Sequence, residues 1–291
     1  MSVQSLSIVV PGRKCINNCK FCVSRTHEDI TYNNVLETHI MTGTPHFRYD
    51  RALALAKDMG CNTLMLTGEC EPQQNHGFLK WFYCNTKAAD LFHNIEIQTT
   101  GAGILPNSTS VDNDRLLATL NFIDTFSLSV SSFDDDANSQ IINGGRCPIY
   151  LKELCNWIKG TGKMLRLSLN LNKEFYKYDP DQLFSKAKEL GADQLTLRKL
   201  YKSGKVCFQD EWIENNTNEI KDEEYFNYIR MCGTPLEVLP YGNIKYSVNG
   251  IGSVADADCM AKHNLNEIRY LILRPDCHLY TRWDDKGSII Y

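Results

Sequence analysis

The sequence predicts an α/β fold, with a parallel sheet and helical crossovers over residues 1–200 and a β-rich extension over 201–291. Three observations support this. Short apolar runs alternate strictly with longer segments of helical period, six times between residues 5 and 200; such alternation implies parallel strands joined by right-handed crossovers. Six units are too few to close an eightfold barrel. Beyond residue 200 the pattern changes, and Gly242-Asn243 and Gly250 mark turns between short β-type runs up to Tyr291.

The elements follow in order. Residues 5–10 form an apolar run rich in β-branched side chains, as a buried parallel strand requires. Ala52, Leu53, Leu55, Ala56 and Met59 recur at helical spacing over 48–59, and Gly60 is a stop. A second strand is expected at 61–66, a helix at 77–92 and a third strand at 95–99. Residues 112–120 read as a short helix and 122–130 as a fourth strand. Asp134, Asp135 and Asp136 open a solvated helix, where acidic side chains suit the positive end of the dipole. Asn143-Gly144-Gly145-Arg146 precedes a helix at 149–158. Leu alternates with Arg, Ser and Asn over 165–171, which is strand period, and in a barrel Ser168 and Asn170 would then point inward. Asp179-Pro180 starts a helix through Leu190, stopped by Gly191, and 194–200 is the sixth strand. Residues 201–218 are polar and aromatic, and 219–231 read as a helix.

Composition restricts the function class. A hydrophobic content of 43% is ample for a core, and a net charge of -4 gives no overall attraction to nucleic acid or anionic membrane. There is no apolar stretch near 18 residues and no signal-type N-terminus, so a cytoplasmic protein without membrane segments is expected. In that setting twelve cysteines point to metal ligation or buried thiols rather than disulfides. Cys61, Cys84 and Cys155 sit on or beside apolar segments and read as small buried hydrophobes.

Cys15, Cys19 and Cys22 are different. They fall within eight residues, in the spacing C-x3-C-x2-C, on a loop directly after the first strand. Structural zinc and ordinary cubane clusters take four protein ligands, so three local thiols either recruit a distant ligand or leave one metal position open. His27 is the nearest candidate fourth zinc ligand, at a spacing that fits no common finger.

This loop, with Phe21 just before its last cysteine, resembles the signature loop of the radical S-adenosylmethionine (SAM) enzymes. The resemblance implies a partial (β/α)6 TIM-like barrel in which the three thiolates hold a 4Fe-4S cluster and SAM chelates the fourth iron. It extends along the chain. Thr67-Gly68-Glu69 after the second strand resembles the family's Gly-Gly-Glu-Pro element, which binds the SAM amino group, although Cys70 separates it from Glu71-Pro72. Gln98-Thr99-Thr100-Gly101 resembles a strand end of the molybdenum cofactor cyclase branch; its hydroxyls either face SAM or cap the turn at Gly101. Ser129 takes the place of the serine beside the SAM ribose, while Ser131 stands where relatives carry Asp. Asn170 and Arg198 arrive at the same edge, and Arg198 either meets the SAM carboxylate or makes a structural ion pair. The second cysteine triad of the cyclases is missing, which argues against that activity.

Cys207, Cys232, Cys259 and Cys277 are spread singly, without a C-x2-C pair for an auxiliary cluster. Residues 201–291 are expected to cap the open side of the barrel and offer Trp212, Tyr241, His278, Tyr280 and Trp283 to substrate. The resemblance implies reductive cleavage of SAM to a 5'-deoxyadenosyl radical that abstracts hydrogen from a substrate. It also implies a one-electron donor such as flavodoxin or ferredoxin. A peptide substrate would suit an open barrel mouth, with Cys207, Cys232 or Cys277 as a possible hydrogen donor; a nucleotide or small metabolite would suit a closed pocket. A non-catalytic iron-sulfur or zinc module, and an α/β protein whose thiols only pack, are the other two readings.

Overall fold

Leucine, isoleucine and phenylalanine at every second strand position set the architecture. The computed structural model describes residues 3–12, 15–26, 47–68, 70–104, 120–239, 243–254, 268–283 and 285–291. Strands β1 (Ser5–Val9), β2 (Thr63–Thr67), β3 (Asn94–Thr99), β4 (Thr125–Val130), β5 (Met164–Asn170) and β6 (Gln194–Arg198) lie side by side in chain order, all parallel. Leu6 is level with Leu64, Leu64 with Ile95, Ile97 with Phe126, Leu128 with Leu167 and Leu169 with Leu197. All of these are buried in one continuous core. Removing such a side chain from water contributes roughly 1.5–3 kcal/mol.

The crossovers are α1 (Phe47–Asp58), α2 (His76–Asn85), α3 (Ala88–Leu91), α4 (Asp135–Asn143), α5 (Leu151–Gly160) and α6 (Pro180–Glu189), whose apolar faces enter the same core. The expected helix over 77–92 is broken in two. Thr86 is extended, its hydroxyl donates to the Phe82 carbonyl at 2.7 Å, and it accepts from the Ala88 amide at 3.3 Å, so one side chain ends α2 and starts α3. Asp134 caps α4, and Gly144 closes it in the left-handed region at φ 70°. Asp179 caps α6 in a reciprocal box with Gln182.

Among the described residues after 200 there are two α-helices, α7 (Phe208–Asn216) and α8 (Glu219–Cys232), and five strands. These are β7 (Thr234–Val238), β8 (Ile244–Val248), β9 (Ile251–Val254), β10 (Tyr270–Leu273) and β11 (Leu279–Tyr280). They extend the barrel sheet at both ends. β10 joins β1 in parallel and β9 joins β6 in parallel, with β11, β8 and β7 added antiparallel outside them. The order β11-β10-β1-β2-β3-β4-β5-β6-β9-β8-β7 thus contains eight consecutive parallel strands. Among the described residues no pairing joins β7 to β11, so the partial TIM-like barrel stays open.

The second face of the central strands is polar: Gln98, Ser127, Ser129, Ser168, Asn170 and Arg198 alternate with the buried leucines. Deeper on that face the fully buried Glu96 pairs with Arg166, which also donates to Gln194 at 2.8 Å. A buried carboxylate needs such partners.

Candidate cofactor site

The cysteine loop leaves the C-terminal end of β1 and is held from three sides. The amides of Asn18 and Lys20 donate to the Ile142 and Ile141 carbonyls of α4 at 2.9 and 3.1 Å, using acceptors a helix end leaves free. Phe21 packs on Trp212 of α7 at 5.8 Å between ring centroids, and the Lys20 ammonium lies over the Phe208 ring. Asn17, between the first two cysteines, is buried and donates from Nδ2 to Glu71 Oε1 and to Thr100 Oγ1, both at 2.8 Å.

Cys15, Cys19 and Cys22 are free, half-buried thiols. Burial first, and then the negative charges of Glu71 and Cys22, push Cys15 up from the ordinary thiol range, and burial followed by Cys22, Glu71 and Cys15 pushes Cys19 well up. Three thiolates crowded here without a cation would repel one another, so the donor set favours bound metal. Among the described residues no three His, Cys, Asp or Glu side chains form the shell of a single ion. On a cubane cluster the three thiolates would each take a different iron, so they would not need to converge on one ion.

Cys19, Phe21 and Cys22 form one wall of a cavity of about 280 Å³. The same cavity is lined by the polar sheet face, with Thr67, Gln98, Ser129, Asn170 and Arg198 among its residues. Asn170 Nδ2 donates to Ser129 Oγ at 3.3 Å and to Ser131 Oγ at 3.4 Å. Arg198 Nε is buried and has no hydrogen-bond partner. Arg198 lines the cavity, and a guanidinium there is a donor for an anionic group, as the carboxylate of SAM is.

Of the residues singled out from the sequence, Cys19, Cys22, Phe21, Thr67, Ser129, Asn170 and Arg198 therefore meet at one cavity. Thr67 closes β2 without a left-handed backbone. Gly68 lies close to β1, where an added Cβ would stand 2.9 Å from the Val10 carbonyl oxygen. Thr99 is not on the cavity wall: its hydroxyl donates to Glu71 Oε2 at 2.5 Å and accepts from the Gly101 amide at 2.9 Å. It caps the turn.

The three single cysteines are elsewhere. Cys207 precedes α7 with its thiol 3.9 Å from Ser203 Oγ, Cys232 is exposed at the end of α8, and Cys277 is buried in the core with burial pushing its thiol up to about 12. None of them lines the cavity. Cys61 and Cys155 are buried as expected, and burial pushes both up to about 12. Cys84 is exposed instead, because it follows Phe82 by two residues and faces away from the buried side of α2. Trp212 serves the cysteine loop. Glu69, His27, Tyr241 and Cys259, and the helix expected from residue 112, lie outside the described residues, except Leu120 at the end of that helix.

Sequence reasoning missed Glu71. It is buried and accepts from Asn17, Gln73, Thr99 and Thr100. The available signal was the Glu71-Pro72 pair, whose proline opens the short 3-10 turn Pro72–Gln74.

No family model matches the chain, and no curated protein matches it. Two crystal structures of Streptococcus suis SuiB do. The structure bound to the precursor peptide SuiA has a TM-score of 0.59 at 16% identity and covers 97% of this chain. The structure bound to S-adenosylmethionine has a TM-score of 0.54 at 16% identity and covers 98% of this chain. The matched region spans 60% of each SuiB chain. At this identity the likeness shows a shared fold: the present chain has the fold of SuiB, a protein whose structures hold S-adenosylmethionine and a precursor peptide.

Proposed function

We propose that this chain is a radical SAM enzyme that modifies a peptide, with a 4Fe-4S cluster on Cys15, Cys19 and Cys22 and SAM in the adjoining cavity. The observation that supports it best is the cavity itself, which Cys19 and Cys22 line together with Ser129, Asn170 and Arg198. When bound, the cluster and SAM supply one-electron chemistry that ends in hydrogen abstraction from the substrate.

The chain's own residues bind, orient and shield. Cys15, Cys19 and Cys22 provide the thiolates. Arg198 would donate to the SAM carboxylate, while Ser129 and Asn170 would contact its ribose side. Phe21 and Trp212 exclude water from the loop. A one-electron donor such as flavodoxin or ferredoxin completes the system. The peptide assignment rests on the open sheet, which leaves a lateral entrance, and on the likeness to SuiB, whose structure contains a precursor peptide.

The test is anaerobic reconstitution with iron and sulfide, followed by SAM and dithionite. Formation of 5'-deoxyadenosine is expected, and Cys19→Ala should lose both the iron and the product. A reconstituted protein that holds iron but forms no 5'-deoxyadenosine overturns the assignment. Peptide modification is then read as a mass change in candidate precursor peptides.

A further inference from the structure

Glu71 is the most heavily hydrogen-bonded carboxylate near the thiols, and it lies neither in the loop nor on the cavity wall. Oε1 accepts from Asn17 Nδ2 at 2.8 Å and from Thr100 Oγ1 at 3.0 Å; Oε2 accepts from Gln73 Nε2 at 2.8 Å, Thr99 Oγ1 at 2.5 Å and the Thr100 amide at 3.1 Å. A carboxylate offers about four acceptor positions, so this one is filled by the protein. No capacity is left for an ammonium ligand. Its partners come from three places: the cysteine loop, the turn after β2 and the end of β3. Gln73 also donates to the Ala102 carbonyl at 3.0 Å, which ties that turn to the chain beyond β3.

We propose that Glu71 is a positioning residue, a buried anionic brace that fixes the backbone between Cys15 and Cys19 through Asn17 before any metal is bound, and that it is not a ligand for the SAM amino group. Its negative charge lies one hydrogen bond from the cysteine loop, through Asn17 at 2.8 Å. The proposal rests on the radical SAM reading only where it concerns the cluster; the brace itself is a property of the metal-free chain.

Hydrogen exchange on the metal-free protein tests the brace directly. In Glu71→Gln one carboxylate oxygen becomes a donor facing other donors, and in Asn17→Ala the link is cut while the charge stays. Both variants should exchange the Asn18 and Lys20 amides on the order of tenfold faster than wild type, as expected for loss of a charge-assisted hydrogen bond. After reconstitution, Glu71→Gln should shift the cluster's reduction potential to a more positive value, Asn17→Ala should leave it near wild type, and SAM affinity should be retained in both. Unchanged exchange in Asn17→Ala overturns the proposal, and this variant decides alone if Glu71→Gln does not fold. Weakened SAM binding in Glu71→Gln with wild-type exchange also overturns it, since that is the behaviour of an amine ligand. If wild type takes up no cluster, the functional assignment falls while the exchange comparison still decides the brace.

Discussion

Arg198 and Thr99 both stand at strand ends, yet the structure assigns them opposite uses. The Thr99 hydroxyl is consumed by Glu71 and the turn at Gly101, whereas Arg198 keeps a buried Nε with no partner beside the cavity. Arg198→Met keeps most of the apolar stem and removes the donors. It should weaken SAM binding to the reconstituted protein about 10- to 100-fold, the range for a charge-assisted hydrogen bond. Calorimetry with SAM checks this, and an unchanged affinity takes Arg198 out of the site. Sequence spacing delivered both residues to the right edge. It could not show which would have its hydrogen bonds already satisfied, because Glu71 reaches Thr99 across 28 positions of chain.

At the scale of elements, helices with an apolar stripe or a clear cap were legible and α7 was not. α6 has both signals: Leu183, Phe184 and Ala187 are buried, and Asp179 accepts from the Gln182 amide at 2.8 Å. Asp179→Ala should lower stability by about 1 kcal/mol, measured as a reduced urea midpoint with unchanged slope. A larger loss would show that Asp179 does more than cap. α7 buries Asp210, Ile213 and Asn216, so its inward face is mainly polar and no hydrophobic period reveals it. Asp210 ties the preceding loop by accepting from Ser203 and Gly204. The helix exists because tertiary contacts use it, with Trp212 on Phe21 and Phe208 under Lys20.

At the scale of the whole molecule, the last third of the chain is part of the barrel sheet, and charged groups of its helix α8 meet the segments that follow β5 and β6. Lys199 pairs with Glu223 at 2.9 Å, and the neighbouring Asp222 is buried and accepts from the Tyr176 hydroxyl at 2.8 Å. Loss of solvent raises Asp222 from the ordinary 3.8 to about 6. Between those values the folded protein keeps a proton that the unfolded chain has released. The resulting cost is absent below the lower value, grows as pH rises towards the upper one and is fully present above it. Asp222→Asn should therefore flatten the fall in stability over this window, by on the order of 2 kcal/mol at neutral pH. Urea titrations of both proteins across the window check this, and parallel pH profiles would sink it. No helix among the described residues is long and apolar enough to cross a membrane.

The sequence by itself determined the alternation of strands and helices, the leucine face of β1 to β6, the cysteine loop and the strand ends that meet it. These are local signals, set by period and by residue type within a few positions. Tertiary structure alone decided that β9 and β10 would continue the sheet at opposite ends, that α7 would cover the cysteine loop and that Glu71 would brace it. Each depends on pairings between distant segments, as when Leu6 meets Leu271 or Asn17 meets Glu71. Backbone edges and carboxylates accept partners by geometry, and that geometry exists only once the sheet has formed.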